Sequence, residues 1–262
     1  MEVEFKGKLR LSGMVTTCTG VAIGKNSLGA GKSSLPRATV RHPLNNLPFI
    51  PASVFRGSVR RLLEQKYSTT APDGQKIADA KVGDIFVGSK VKNGRLSARA
   101  TFRDLFLSDS SAKQLMELNQ QSYLTDIKVY ASMDRVTSQG NAYAIEQIPA
   151  GAQFQFEIIY SVYQQEDFAT FTRLLEGLHD LEKSSLGAHG SRGLGKIKFG
   201  LWPLTEQLCL GSECAQGLEL TWRAKDYYES GAAARCLITG DEKLSLENFI
   251  AQYEQQLGEL GQ

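Results

Sequence analysis

The chain lacks acidic residues over a long N-terminal stretch. None occurs between Glu4 and Glu64, although the whole chain holds 28 Asp and Glu against 30 Lys and Arg. The same stretch contains ten basic residues, which are Lys6, Lys8, Arg10, Lys25, Lys32, Arg37, Arg41, Arg56, Arg60 and Arg61. Charges of one sign repel each other unless a polyanion neutralises them, and a sugar–phosphate backbone is the commonest such partner. The stretch therefore predicts a nucleic-acid-binding surface, with a merely solvated basic face as the alternative.

Cysteine and histidine are also scarce, with four Cys and three His in 262 residues. The cysteines form no C-x-x-C pair, so free thiols of a reducing compartment are favoured over a zinc site, for which a histidine would have to converge with them. No Ser/His/Asp arrangement, paired-carboxylate motif or H-x-x-x-H motif occurs. We therefore predict no metal site and no catalytic constellation, and His42 is only a weak catalytic candidate.

Long apolar runs are absent as well. Without a stretch of 18 apolar residues or a signal-type leader, the sequence predicts a cytoplasmic protein that is neither secreted nor membrane-spanning. A Gly-Lys-Ser sequence at 31–33 lacks the glycine that a phosphate-binding P-loop needs five residues before its last glycine, because Asn26 stands there. Nucleoside triphosphate binding by this segment is therefore not expected.

Hydrophobic periodicity predicts an alternation of strands and helices. Strands are predicted at 3–16, 99–107, 153–163 and around 197–199, a hairpin at 128–148, and helices at 54–67, 111–120, 166–182 and near 246–259. Ser53 is predicted to cap the first helix. The basic Gly/Ser-rich segment 20–46, whose composition cannot fill a core, and the polar segment 69–97 are predicted to be insertions. This order of elements indicates an α+β fold of the ferredoxin-like type.

Two segments bring together donors for an anion. At 47–61 a basic loop enters a helix, so that free amides, the helix dipole, Ser53 and Arg56 would face one anion; a capped structural helix is the alternative. At 187–196 glycines would let backbone amides approach a phosphate, with His189, Ser191, Arg192 and Lys196 as further donors. The alternative there is an ordinary helix C-cap followed by a turn.

The predicted hairpin carries Met133 beside Arg135. An apolar side chain at such a position can wedge between bases, as in other nucleic-acid-binding proteins. A buried methionine and a surface ion pair form the alternative interpretation.

In their order, these segments resemble the RAMP superfamily of CRISPR effector proteins, and most of all the repeated backbone subunit of type III complexes. The resemblance lies within residues 1–200 and is carried by 47–60, 133–137 with Glu146, Pro149, Gly151 and Phe154, and 187–199. It implies an RRM-like palm that grips the backbone of a guide RNA and an inserted thumb hairpin that interrupts guide–target pairing. It further implies a domain over 1–203 with insertions at 20–46, 69–97 and 128–148. An acidic extension, 204–262, would pack on this domain or on a neighbouring subunit.

The resemblance also implies particular RNA contacts. Ser53, Arg56 and Arg60 match guide-backbone contacts, and Met133 and Arg135 lie in the thumb. The glycine-rich loop is matched by Gly190, Ser191, Arg192 and Gly193. With the other basic and polar candidates, the predicted RNA-binding set is Lys25, Lys32, Arg37, Arg41, Ser53, Arg56, Arg60, Arg61, Met133, Arg135, His189, Gly190, Ser191, Arg192, Gly193 and Lys196.

One departure from the family pattern concerns cleavage. Members that cut target RNA carry an Asp in the loop before the proline-rich turn, but Pro36 stands at the matching position here and no carboxylate occurs from 5 to 63. A hard cation therefore has no evident ligand beside a scissile phosphate. We predict a non-catalytic guide-RNA-binding subunit that needs no cofactor. Its expected partners are guide RNA, target RNA, other RAMP-type subunits and a large polymerase-like subunit.

Two enzymatic alternatives stay open. The first is a Mg²⁺-dependent ribonuclease of the same family that cleaves target RNA with an unidentified carboxylate or His42. The second is an endoribonuclease that processes guide precursors with His42 or His189 as general base.

Overall fold

The structure of the chain is a computed structural model. It describes residues 5, 7–24, 38–70, 76–77, 79–91, 94–119, 124–133, 135–136, 138, 140–164, 166–201, 218–222, 235–236, 244–245, 248 and 250–251. The helices are α1 (Ala52–Tyr67), α2 (Ala80–Phe86), α3 (Asp109–Asn119) and α4 (Glu166–Lys183). The strands are β1 (Gly7–Thr17), β2 (Phe49–Ile50), β3 (Thr69–Thr70), β4 (Lys76–Ile77), β5 (Lys90–Val91), β6 (Gly94–Arg95), β7 (Ala100–Phe102), β8 (Leu105–Leu107), β9 (Asp126–Met133), β10 (Gly140–Gln147), β11 (Gln153–Val162), β12 (Ile197–Leu201), β13 (Leu218–Trp222), β14 (Arg235–Cys236) and β15 (Leu244–Ser245).

An antiparallel sheet forms the centre of the fold. Strand β1 lies between β11 on one side and β12 on the other, and β11 pairs in turn with β7 and β8. The spatial order β12–β1–β11–β7/β8, with α1 and α4 in the two crossovers, is that of a β-α-β-β-α-β unit. The predicted ferredoxin-like α+β fold is therefore confirmed.

The core forms where the sheet and the helices present their apolar faces to each other. In β11 the residues Phe154, Phe156 and Ile158 are buried and alternate with more exposed ones, as a half-buried strand requires. Helices α1 and α4 bury matching stripes and pack closely at Gly177, where a Cβ would lie 2.9 Å from side-chain carbons of Val59 and Leu63. Glycine at this position thus lets the two helices approach each other.

Two predicted insertions contribute to this core, contrary to expectation. Within 69–97, helix α2 begins at its N-cap Asp79 and buries Val82, Ile85 and Phe86. At the start of 20–46, Val21 and Ile23 are buried in the same core, and Val21 forms a β-bridge with Ile148. The composition of each segment as a whole is polar and does not reveal these short apolar clusters. A few apolar residues on one face are enough to bury a turn of helix.

Two boundaries also differ from the predictions. The predicted strand 99–107 is broken at residues 103 and 104 into β7 and β8. Helix α1 begins at Ala52, so Ser53 lies inside the first turn and is not its cap; Pro51 is the N-cap residue and makes no side-chain cap bond. The cap acceptor comes instead from the break in the strand, where the Oδ1 of Asp104 accepts a 2.7 Å hydrogen bond from the Ala52 amide.

The C-terminal region adds strands to the sheet. Strand β13 pairs with β1, β14 pairs with β13, and β15 pairs with β12. Of the helix predicted near 246–259, the structure describes only residues 248, 250 and 251, which are helical.

None of the helices in the described part of the chain is long and apolar enough to cross a membrane.

Candidate nucleic-acid interface

The predicted hairpin and the glycine-rich loop meet through a stack of rings. In the hairpin β9–β10, Tyr130 lies opposite Tyr143, and their rings stack with centroids 5.8 Å apart. The imidazole of His189 lies 6.2 Å from the Tyr130 ring and 6.4 Å from the Tyr143 ring. The guanidinium of Arg192 lies 5.4 Å from the centre of the Tyr143 ring. Stacking and cation–π attraction therefore fix the middle of the hairpin on the loop.

The sequence prediction missed the two tyrosines. Both hydroxyl oxygens are buried and make no hydrogen bond to any residue that the structure describes. The signal that was available is their position in the hairpin, since residues opposite each other in an antiparallel pair share one face. The structure thus places His189 and Arg192 together, as predicted, and adds Tyr130 and Tyr143.

The glycine-rich loop is held in place by backbone hydrogen bonds to residues 20 and 22. Residues 190–192 form one turn of 3₁₀-helix, flanked by His189 and Gly193, which both have positive φ. The amides of Ala188 and Gly195 donate to the carbonyls of Ala22 and Gly20, at 2.9 and 2.8 Å. These amides do not form the predicted phosphate cradle, because they already donate within the protein. The side chains of Ser191, Arg192 and Lys196, in contrast, are exposed.

A groove of about 500 Å³ opens beside this loop, next to the end of α4. Its lining includes Thr19, Lys183, Ser184, Gly190 and Lys196. Glu182 also lies there, but one of its carboxylate oxygens accepts a 2.6 Å hydrogen bond from the Phe199 amide. Two lysines and several hydroxyls make this groove suitable for a phosphate oxygen.

The loop glycines provide a first prediction. Replacing Gly187 by alanine is expected to lower the free energy of unfolding by more than the about 1–2 kcal/mol that positive φ alone costs. Its φ is +85°, and a Cβ there would lie 2.5 Å from the backbone oxygen of Ala22. Gly193→Ala is the matched control, since its φ is +87° but a Cβ there meets no atom of the described part of the chain within 4 Å. Urea denaturation of both variants measures the difference, and equal losses would contradict the steric argument.

The hairpin presents an apolar face away from the ring stack. The large exposed side chains on this face are Ile127, Val129 and Met133. Small residues lie opposite two of them, since Ala144 faces Val129 and Gly140 faces Met133. Met133 is 72% exposed, so the interpretation as a buried methionine is wrong. Arg135 is likewise exposed near the tip of the hairpin. An uncovered apolar ribbon of this kind indicates a binding surface.

Two of the three arginines of α1 are engaged within the protein. Arg56 donates to the carbonyl oxygen of Phe86 at 2.5 Å and lies 5.5 Å from the centre of the Phe86 ring. Arg60 forms an ion pair with Glu64, one helical turn along, at 2.6 Å. Arg61 and Ser53 are exposed. At the N-terminus of this helix, where the sequence predicted free amides for an anion, the Ala52 amide donates to the carboxylate of Asp104.

Arg41 is also held internally, at the base of the hairpin. Its guanidinium donates to Glu146 at 2.7 Å and to the Thr125 hydroxyl at 2.6 Å, while the Thr39 amide donates to the other carboxylate oxygen of Glu146. Burial raises the pKa of the Glu146 carboxyl, but the hydrogen bonds from Thr125, Arg41 and Thr39 together hold that pKa below its ordinary value. The ionised Glu146 therefore ties the end of the basic segment to the hairpin.

The remaining predicted residues divide into two groups. Lys25, Lys32, Arg37 and the family-matched Pro36 lie outside the described residues. His42 is half-buried: its Nδ1 accepts a 3.4 Å hydrogen bond from the Leu44 amide, and its ring packs edge-on against Phe106. Among the residues that the structure describes, no three His, Cys, Asp or Glu side chains are grouped to hold a metal ion.

Comparisons with known proteins identify a family model that matches this chain and several proteins of similar sequence. The family model described as the RAMP superfamily matches residues 14–198. Proteins named CRISPR system Cms endoribonuclease Csm3 are similar along most of the chain. The one from Methanocaldococcus jannaschii is 31% identical over 87% of this chain and 92% of its own length. The one from Enterococcus italicus is 34% identical over 73% of this chain and 89% of its own length.

Solved structures share the fold. The crystal structure of Csm3 from Methanopyrus kandleri has a TM-score of 0.62 and 16% identity, and the match covers 98% of both chains. A chain of the Csm3–Csm4 subcomplex of the type III-A CRISPR–Cas interference complex has a TM-score of 0.58 and 21% identity, with 96% of this chain and 97% of that chain covered.

Proposed function

Because this chain belongs to the RAMP superfamily, as its sequence resemblance predicted, we propose that it is a guide-RNA-binding subunit of a type III CRISPR complex and that it holds RNA without cutting it. Its relatives carry the name Csm3, and one structural neighbour comes from a Csm3–Csm4 subcomplex. The proposed partners are accordingly guide RNA, target RNA, other RAMP-type subunits and a large polymerase-like subunit.

The observation that carries the RNA-binding proposal is the junction of hairpin and loop. The ring stack of Tyr130, Tyr143 and His189 holds the exposed Arg192 in a fixed place beside the groove that contains Lys183 and Lys196. Such an arrangement offers cations to a phosphate backbone while the apolar face of the hairpin stays exposed. In this proposal the loop positions the guide strand and the hairpin acts as the thumb.

The non-cutting part of the proposal is supported by the carboxylates. A family metal would require an acid near position 36, where the sequence has proline and no carboxylate from 5 to 63. The described acids next to this region are engaged: Asp104 accepts from the Ala52 amide, and Glu146 accepts from Arg41, Thr125 and the Thr39 amide. The residues present therefore do not fit the metal that the family implies, and we derive no metal-dependent step.

A second candidate function is favoured by the relatives' name, which includes endoribonuclease. In that case His42 or an acid outside 5–63 would take part in cleavage.

The RNA-binding proposal predicts a steep salt dependence. Affinity for single-stranded RNA is expected to fall strongly between about 50 and 200 mM salt, because bound phosphates release counterions. Arg192→Gln and Lys196→Gln should each reduce the slope of log K against log salt by about 0.7, the value for one phosphate contact with a single strand. Fluorescence anisotropy with labelled RNA of mixed sequence measures the slope.

Lys66→Gln is the control, because it removes one positive charge, as Arg192→Gln and Lys196→Gln do. Lys66 bonds to Glu176 and Asp180 on the exposed side of α1 and α4, so its loss is expected to leave the slope unchanged. Affinity that stays constant with salt would mean that the basic region is only solvated, and equal slopes in all three variants would remove the loop from the interface.

A further inference from the structure

The face of the sheet that points away from the core carries a groove of its own. In β11, Gln155 and Glu157 alternate with buried Phe154 and Phe156; in β8, Phe106 stands between the buried Leu105 and Leu107. Gln155, Glu157 and Phe106 line a groove of about 340 Å³ together with Arg10, Arg103 and Asp104. We name it the open-face groove. Its volume lies at the lower end of the roughly 300–1,000 Å³ of sites that enclose a small organic group.

An aromatic ring stands at this groove and is held in place. Phe106 is 47% exposed although it lies in a strand. Its ring stacks on Phe49 with centroids 6.0 Å apart and an angle of 27°, and the His42 ring packs edge-on at 5.7 Å. The two supporting rings fix the plane of Phe106, while half of its surface stays available for a flat partner.

The charges in the groove are balanced. Arg10 lies 3.3 Å from Glu157, Arg103 lies 3.9 Å from the same carboxylate, and Asp104 supplies a second negative charge. Two cations and two anions give no net attraction for a phosphate. They do offer donors and acceptors side by side, to which Gln155 adds an amide with both capacities. A neutral, flat group with polar edges matches this lining, and a nucleobase is such a group.

The groove adjoins the start of α1. Asp104 lies in the groove and binds the Ala52 amide, and Phe49 under the exposed ring belongs to the strand that leads into the helix. Residues 47–60 are the segment whose sequence resembles guide-contacting residues of the family. An RNA strand bound along this segment would therefore pass the open-face groove.

We propose that the open-face groove binds one unpaired base of the RNA, stacked on Phe106 with its polar edge toward Gln155 and Arg103. This site rests on the proposed RNA-binding function but is separate from the loop and the hairpin. It contributes stacking and edge contacts, whereas the loop contributes cations.

The test compares two ligands and three variants. Phe106→Leu keeps an apolar side chain and removes the flat ring, so affinity for single-stranded RNA is expected to fall about tenfold or more, the usual effect of losing one base–aromatic stack. Affinity for a ribose–phosphate oligomer of equal length without bases should not change. Phe106→Trp should restore affinity for RNA, and its fluorescence should be quenched when RNA binds. Phe49→Leu, the control, breaks the same ring pair but replaces a residue outside the groove lining, and should have a smaller effect.

Each other outcome overturns the proposal in a recognisable way. Unchanged RNA affinity of Phe106→Leu would refute the base site and leave the RNA-binding function intact. Equal losses for both ligands, or equal losses in Phe106→Leu and Phe49→Leu, would assign the ring a structural role. Normal binding of both ligands together with a changed sedimentation coefficient would assign the groove to contact between protein chains. If the wild type binds neither ligand, the proposed function fails and the base site fails with it.

Discussion

Replacing Asp167 by alanine is expected to lower the free energy of unfolding by about 3–5 kcal/mol, because the Arg99 guanidinium would then be buried without its counter-charge. The two side chains are 4% and 1% exposed, and Arg99 Nε lies 3.0 Å from Asp167 Oδ1. The second carboxylate oxygen accepts from the amides of Tyr163 and Gln164, at 2.7 and 3.0 Å. The substitution thus removes the charge partner of Arg99 and the side-chain acceptor of two backbone amides just before α4. Urea denaturation measures the change.

Asp180→Ala in the same helix is the control. Asp180 pairs with Lys66 at 3.4 Å, and both side chains are partly exposed to solvent. Exposed ion pairs contribute at most about 1 kcal/mol, so this variant should stay close to the wild type. Losses of similar size in the two variants would show that burial does not set the strength of the Arg99–Asp167 pair.

The sequence predicted those strands and helices whose hydrophobic residues recur with a regular period. Strand β11 and helix α4 follow periods of two and of three to four residues, and the structure places both within a residue or two of the predicted bounds. The break between β7 and β8 has no such pattern. At this break Asp104 accepts a hydrogen bond from the Ala52 amide at the start of α1, 52 residues earlier in the chain. Local periodicity cannot reveal a hydrogen bond over that separation.

In the candidate site, too, the sequence predicted the features with a local pattern and missed those that depend on contacts far along the chain. Glycines and basic residues marked the loop 187–196, and the structure exposes Ser191, Arg192 and Lys196 there. Counting charges, however, does not distinguish a cation that faces solvent from one with a partner in the protein. Arg41 and Arg56 find their partners 105 and 30 residues away, in Glu146 and the Phe86 carbonyl. Tyr130 and Tyr143 escaped notice because their importance arises only when the hairpin is folded onto the loop.

A type III complex that contains this chain is expected to leave target RNA uncut at the position the chain occupies, even with Mg²⁺ or Mn²⁺ present. Lys and Arg can stabilise phosphate charge, but they do not hold a hard cation, and the sequence provides no carboxylate between 5 and 63. His42 would have to act alone, with its Nδ1 accepting from the Leu44 amide and its ring packed against Phe49 and Phe106. The assay uses end-labelled target RNA and a complex in which all other RAMP-type subunits carry inactivated sites.

Two variants make this prediction decisive. Pro36→Asp places a carboxylate at the position that matches the cleaving members of the family, and any metal-dependent products gained with this variant would identify the missing acid as the reason for inactivity. His42→Ala addresses the opposite result. If the wild-type chain does cut at its own position and His42→Ala abolishes the products, the histidine acts as a general base and the chain is a ribonuclease. Products that persist in His42→Ala but vanish when an acid outside 5–63 is replaced would equally overturn the non-cutting proposal.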